Sequence, residues 1–350
     1  MRRILCVLLA LAMLAGLGGC ARQPQRQSVT WFDLFDTVTI LLGYTNTETE
    51  FSEQASEMYK DLEHYHRLFD IYNTYEGMNN LKTINDNAGK MPVKVERPVI
   101  DLILLAKRLH EQTNGKVNIA MGRVLELWHN ARETAETNPP AAYLPDEQAL
   151  REAAAHTDIA RVIVDEQAST VFLEDAQMKL DVGSVGKGYA VELAAQAAEK
   201  RGLSSALLSV GGNLRAIGQK PNEQKWSGAI QDPWAQEVNA VSPYTVELSS
   251  GMALVTSGDY QRYFTVDGVR YHHIIDPDTL YPADWMNSVS VLYPNSGVAD
   301  ALSTALFNMS PESGIALIES IEGAEAMWML PNQEVVFSSG FAESLREKKE

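Results

Sequence analysis

Leu180-Asp181-Val182-Gly183-Ser184-Val185-Gly186-Lys187-Gly188-Tyr189-Ala190 joins the end of a strand, a glycine-rich turn and the start of a helix. An acid closes the apolar run, and the glycines let backbone amides approach an anion closely. A helix beginning near Lys187 adds the positive potential of its N-terminus and one full charge. The spacing is not that of a P-loop, which needs four residues between its first glycine and Gly-Lys-[Ser/Thr]. Taken alone, the segment reads equally as a structural turn.

Working outward, the period of the apolar residues alternates between helix and strand. On the N-terminal side Phe51, Ala55, Met58, Leu62, Tyr65 and Phe69 recur at spacings of three and four, which predicts an amphipathic helix over 49–69. A second helix is expected from Pro98 to Thr113, with Pro near its start and Asn114-Gly115 past its end. Prolines 139, 140 and 145 mark a loop, and Asp146 caps a helix over 147–156. Residues 161–165 and 170–174 read as a hairpin and 178–182 as a further strand. Trp31 to Leu41 reads as one strand. On the C-terminal side strands are expected at 206–210, 226–231, 245–248, 252–256, 263–266 and 288–293, with helices at 188–201, 297–308 and 311–320. No fixed-period repeat occurs, so the chain is α+β rather than a solenoid.

Three more segments carry chemistry. Ser209-Val210-Gly211-Gly212-Asn213-Leu214 is a second glycine turn after an apolar strand. Tyr271-His272-His273-Ile274-Ile275-Asp276-Pro277 sets a histidine and an aspartate three apart before proline, suited to an acid/base group on a rigid turn. In Val298-Ala299-Asp300-Ala301-Leu302-Ser303-Thr304, Asp300 and Thr304 are four apart and share one helix face. A carboxylate and a hydroxyl without Cys or clustered His suit a hard ion such as Mg²⁺ or Ca²⁺. Each segment also has an ordinary structural reading.

Composition limits the partners. The formal net charge is −17 over 350 residues, which argues against nucleic acid, whose phosphates demand a basic face. Met1-Arg2-Arg3, an apolar run to Leu17 and Leu17-Gly18-Gly19-Cys20 have the layout of a secretory leader. The run falls short of the about 20 apolar residues a membrane span needs. The pattern before Cys20 is that of bacterial lipoprotein processing, so residues 1–19 are expected to be removed and Cys20 lipidated. The expected organisation is a tether over 20–30, a catalytic domain over 31–340 and a charged tail over 341–350. Cys6, the one other cysteine, falls in the leader, leaving no disulfide or catalytic thiol after processing.

The order Asp-x-Gly-x-x-x-Lys-Gly-Tyr-Ala, Gly-Gly-Asn, Ser257-Gly258-Asp259-Tyr260-Gln261-Arg262, His-Ile-Ile-Asp-Pro and Ala-Asp-Ala-Leu-Ser-Thr-Ala resembles the ApbE family of FAD:protein FMN transferases. The resemblance runs from about Phe35 to Phe337. It implies an α+β, T-fold-like core of mixed or antiparallel sheets with packed helices, forming one catalytic unit. It also implies an enzyme that cleaves FAD, releases AMP and joins FMN to a Thr or Ser of a partner protein. Asp181 would hold the adenine or ribose side of FAD and Lys187 would act near its phosphates. Asp300, Thr304 and an oxygen of Ser184 would hold Mg²⁺. Ile275 would pack on the flavin nucleotide and His273 would be the base. Ala120, Met121 and Gly122 stand in a segment that lines the FAD pocket, Tyr72 in the place of an aromatic stacker, and Phe35 where many members have Met.

The sequence departs from the family pattern where Leu280 replaces the glycine of Asp-Pro-x-Thr-Gly-x-Pro, where Asn118 replaces Asp, and where Ser303 replaces a second acid. The same residues would also serve an FAD pyrophosphatase that uses water as acceptor. A lipoprotein that carries flavin without chemistry is a further alternative. Lipid anchoring implies an extracytoplasmic site at a bacterial membrane, and an acceptor in a membrane redox complex.

Overall fold

A computed structural model describes residues 23–235 and 241–346. The leader, Cys20 and the last four residues of the expected tail lie outside that range. The framework is an eight-stranded antiparallel sheet. In spatial order it contains β1 (Gln25–Leu34), β2 (Thr37–Thr45), β6 (Ser205–Val210), β7 (Asn213–Gly218), β10 (Ala253–Gly258), β13 (Ser288–Tyr293), β14 (Glu325–Met329) and β15 (Val335–Phe337). Smaller units are β3 (Val93–Lys94) with β4 (Val162–Asp165) and β5 (Thr170–Leu173), the ribbon β8 (Trp226–Gln231) with β9 (Val241–Leu248), and the hairpin β11 (Tyr263–Val266) with β12 (Val269–His272).

Helices α1 (Glu48–Leu68), α2 (Leu81–Asp86), α3 (Arg97–Gln112), α4 (Gly122–Thr137), α5 (Glu147–Ala154), α6 (Gly186–Lys200), α7 (Ser296–Phe307) and α8 (Pro311–Glu319) complete the described residues. Strand β6 shows how the layers form. Ala206, Leu208 and Val210 pack toward α1 and α6 on one face, while Leu207 joins Trp226, Val246 and Leu248 of the β8–β9 ribbon on the other. That division is the two-residue period of a strand. Helix α7 is buried on nearly every side, and Leu302, Leu306 and Phe307 have no exposure. Each such side chain contributes about 1.5–3 kcal/mol of burial, which fixes α7 firmly between the sheet and the α3 layer.

The expected helices and the hairpin over 161–174 form within a few residues of their predicted ends. The single strand expected over 31–41 is two strands. Phe35 (φ 53°) and Asp36 (φ 50°) make a left-handed two-residue turn, and Leu34 pairs with Thr37 across it. Strand β1 begins at Gln25, so residues 25–30, expected as tether, pair with β2 along the sheet edge. At the other end Phe341 is fully buried and the Arg346 N–H donates to the Thr245 carbonyl at 2.8 Å, so the fold continues past residue 340. Residues 178–182 make no ladder. They are held by an isolated parallel bridge, Met121 with Lys179, and by the Asp181 N–H to the Ile119 carbonyl at 2.8 Å. Among the described residues no helix is long and apolar enough to cross a membrane.

Candidate active site

A cavity of about 670 Å³ opens where the ends of the interior strands β2, β6, β7 and β10 meet α4, α6, α7 and the β11–β12 hairpin. That volume lies in the range of sites for cofactor-sized molecules. Its walls include Phe35, Tyr72, Met121, Asp181, Ser184, Lys187, His273, Ile275, Asp300 and Thr304. Residues scattered over 270 positions of sequence therefore face one space.

The glycine-rich turn works as its composition implies. The Asp181 carboxylate accepts the Gly183 N–H at 2.8 Å, which closes the turn below the cavity. Burial pushes the Asp181 carboxyl upward, opposed by the Gly183 N–H, His129 and Arg132. Lys187, in the first turn of α6, donates to the Gly211 carbonyl at 3.4 Å. Gly211 (φ 53°) and Gly212 (φ 89°) form the tight connection between β6 and β7. A Cβ on Gly211 would lie 2.6 Å from Thr37 Oγ1, so glycine is required by space as well as by conformation. Burial pushes the Lys187 amine down, while Asp300 raises it.

Asp300 is 6% exposed and accepts the Gly188 N–H at 2.7 Å. Burial raises its pKa against the opposing effects of Lys187, the Gly188 N–H and Asn213. A buried carboxylate with one nearby amine, and Thr304 one helical turn further on, form a hard-oxygen set suited to a divalent cation. Ser184 faces them from the turn. Among the described residues no cluster of three or more His, Cys, Asp or Glu has metal-holding geometry, so such an ion would rely on the Asp300 carboxylate together with hydroxyl and backbone oxygens. Ser303 is not a further cavity acid in disguise. Its hydroxyl donates to the Asp300 carbonyl at 2.9 Å and meets Ser257 Oγ at 2.8 Å, bracing α7 from behind.

The two adjacent histidines have separate tasks. His272 is consumed structurally, with Nε2 donating to the Ala283 carbonyl at 2.7 Å and Nδ1 accepting the Ile274 N–H at 3.2 Å. His273 Nδ1 stands 3.2 Å from the Arg262 carbonyl. A carbonyl can only accept, so Nδ1 carries the proton and Nε2 presents a lone pair. The ring opens onto the cavity, yet the surrounding walls, then Arg262 and His272, lower its pKa well below the ordinary value. The imidazole is therefore neutral at neutral pH. Its turn is tied down by Lys116, whose Nζ lies 2.7 Å from Asp276 and 2.8 Å from Asp278.

Ala120 and Gly122 do not reach the cavity. Both are buried behind Met121, and a Cβ on Gly122 would sit 2.6 Å from the Lys179 carbonyl oxygen. They position the wall instead of forming it. Asn118 holds that wall by accepting the Ala120 N–H at 2.9 Å and donating to the Thr157 carbonyl at 2.9 Å. Leu280 stands at φ 64°, so the turn keeps the left-handed backbone that glycine would allow freely. Its N–H donates to the Asp276 carbonyl at 2.8 Å and its carbonyl accepts Trp128 Nε1 at 2.9 Å.

Sequence reasoning missed His129, Arg132, Lys116 and Arg262 as wall residues. His129 and Arg132 are three apart on α4, and Tyr72 lies over His129 with ring centroids 5.5 Å apart. Their i, i+3 spacing was the available signal, but it becomes informative only once α4 is known to be a helix.

The same overall fold occurs in solved flavin transferases. The ApbE structure from Vibrio cholerae superposes with a TM-score of 0.76 at 23% identity, over 92% of this chain and 100% of that one. The ApbE protein of Thermotoga maritima reaches a TM-score of 0.80 at 30% identity, over 92% of this chain and 100% of that one. A model of the ApbE family matches residues 37–328. A protein of Treponema pallidum named FAD:protein FMN transferase is 31% identical over 353 residues, covering 95% of this chain and 93% of that protein. One of the same name from Klebsiella pneumoniae is 31% identical over 281 residues, covering 78% and 84%. The chain belongs to the ApbE family.

Proposed function

We infer that this protein is an FAD:protein FMN transferase, the activity for which its relatives are named. The observation that carries the reading is convergence. Asp300 and Thr304 from α7, Ser184 and Lys187 from the glycine turn, and neutral His273 from the β12 turn all face one cavity.

In the proposed reaction an acceptor Thr or Ser hydroxyl attacks the phosphorus on the FMN side of FAD. A new O–P bond forms, the bond from that phosphorus to the bridging oxygen breaks, and AMP leaves with the bridging oxygen. His273 Nε2 takes the hydroxyl proton, which a neutral imidazole can do and an imidazolium cannot. Lys187 neutralises charge growing on the leaving phosphate. Asp181, with its carboxylate ordered by the Gly183 N–H, reads the adenosine end, and Tyr72, Phe35, Met121 and Ile275 supply apolar and aromatic surface for the rest. Asp300, Thr304 and an oxygen of Ser184 would hold Mg²⁺. Held there, the ion would supply charge neutralisation for the phosphates.

The leader over residues 1–19, followed directly by Cys20, supports a mature protein that is lipid-anchored and extracytoplasmic. The acceptor would then be an outward-facing domain, such as a subunit of a membrane redox complex. Replacing Asp300 by Ala tests the metal assignment. A folded variant should release no AMP from FAD and add no mass to an acceptor domain, and normal FMN transfer by that folded variant would contradict it.

A further inference from the structure

Behind the cavity, α6 and α7 cap one another. Asp300 of α7 accepts the Gly188 N–H in the first turn of α6, at 2.7 Å. In return Glu192 of α6 accepts the Ser296 N–H in the first turn of α7, at 2.8 Å. In each helix the carboxylate lies four residues beyond the amide that the other helix's carboxylate receives. The two helices touch closely enough that a Cβ on Gly188 would lie 2.3 Å from the Ser296 carbonyl oxygen, and one on Gly297 3.0 Å from Tyr189 Cα.

Glu192 is 2% exposed and has no route to the cavity. Its carboxylate is saturated. Oε2 accepts Arg215 Nε at 3.0 Å as well as the Ser296 N–H, and Oε1 accepts an Arg215 terminal nitrogen at 3.1 Å and Gln196 Nε2 at 2.9 Å. Arg215, 4% exposed, is anchored in β7, where it also donates to Glu199 at 3.3 Å. A buried ion pair of this kind is weak evidence for stability, since apolar residues of similar volume do as well or better. Its geometry supports another role, because the acceptor it presents fixes the start of the helix whose next turn holds Asp300.

We propose that Glu192, oriented by Arg215, is a positioning residue for the cation site. By holding the Ser296 N–H it sets the height and rotation of α7 against α6, and so the place of Asp300 and Thr304 relative to Ser184 and Lys187. The inference rests on the reading of Asp300 and Thr304 as ion ligands.

The test compares two paired replacements in the full folded domain. Glu192→Gln/Arg215→Met keeps a carbonyl acceptor for Ser296, whereas Glu192→Leu/Arg215→Met removes it. Both discard the charges, so neither leaves an unpaired buried ion, and circular dichroism with thermal melting verifies that both fold. Mn²⁺ binding is measured by electron paramagnetic resonance without FAD, so the readout does not depend on turnover. The Leu/Met protein should bind Mn²⁺ about tenfold or more weakly, as expected when an outer-shell support is lost. The Gln/Met protein should stay within about twofold of the parent, well inside that margin. Equal affinity in all three proteins, or equal weakening in both variants, would overturn the proposal. Asp300→Ala serves as the separate control. If that variant binds Mn²⁺ as well as the parent does, or the parent binds none, the ion-ligand reading itself fails.

Discussion

Replacing Gly188 by Ala adds one methyl group at the point where α6 and α7 are closest. The new carbon would lie 2.3 Å from the Ser296 carbonyl oxygen and 2.5 Å from Asp300 Cβ, about an ångström inside ordinary contact. Neither neighbour is the free end of a flexible side chain. Overpacking of this sort costs about 1–3 kcal/mol. Forcing the helices apart also stretches the Gly188 N–H bond to Asp300, and bonds to charged groups contribute about 1.5–3 kcal/mol. Ala returns at most about 1 kcal/mol through its better helix propensity. The net loss is roughly 2–4 kcal/mol, a fall in Tm of about 3–6 °C for a domain of this size. A displacement of Asp300 by about 1 Å should lower turnover roughly a hundredfold. Urea unfolding reports the first effect, and the mass gain of an acceptor domain incubated with FAD and Mg²⁺ reports the second. A variant with stability within about 0.5 kcal/mol of the parent and undiminished transfer would refute the close-packing argument.

Other outcomes follow from the same geometry. His273→Gln should reduce transfer by about 10²–10⁴-fold while FAD affinity, measured by fluorescence quenching, is unchanged; a variant with full activity would remove His273 as the base. Because the folded imidazole resists protonation, transfer should show no acid limb near pH 6.5, and a kcat profile with a limb there would contradict the depressed pKa. The stability linked to this group is present above the unfolded value near 6.5 and is lost as pH falls below it toward the folded value. Lys116→Met strips Asp276 of its cation. Since Lys116 is 16% exposed and Asp278 is solvated, the loss should be about 1–3 kcal/mol in a urea melt, below that of a fully buried pair. The turn carrying His273 would loosen, so kcat should fall more than KM for FAD rises. Asp70→Ala should act on KM instead, raising it roughly tenfold. Asp70 orders the Tyr72 loop through the Tyr72 N–H at 2.6 Å, Asn73 Nδ2 at 3.0 Å and the Tyr75 hydroxyl at 2.7 Å. An unchanged KM would dissociate Tyr72 from binding.

Much of the site was legible because local chemistry and local structure coincide there. Gly183 to Gly188 must turn tightly at the end of an apolar segment, and Asp300 and Thr304 must share a face of any helix that contains both. The Gly211-Gly212 connection likewise shows its left-handed backbone in its composition. Elsewhere tertiary context decides. Helix α4 was not read from Gly122 to Thr137 because its buried contacts are few, Val124, Trp128 and Ala131 among them, while His129 and Arg132 turn to the cavity and blur the apolar stripe. Strand β14 is buried on both faces from Ala326 to Met329, so it lacks the alternation by which strands are recognised. Phe35 and Asp36 were absorbed into one long strand, since neither is glycine although both adopt positive φ. Glu192 falls within the helix expected over 188–201, and nothing in its local sequence marks it. Its partner amide lies 104 positions away, a pairing that no local pattern records.

The most direct test of the account is to incubate the leaderless protein with FAD and Mg²⁺ and a Thr-containing flavin-acceptor domain, following AMP and acceptor mass together. The account predicts that the acceptor gains the mass of one FMN for each AMP released. AMP and free FMN without that gain, or FAD left intact, would contradict it.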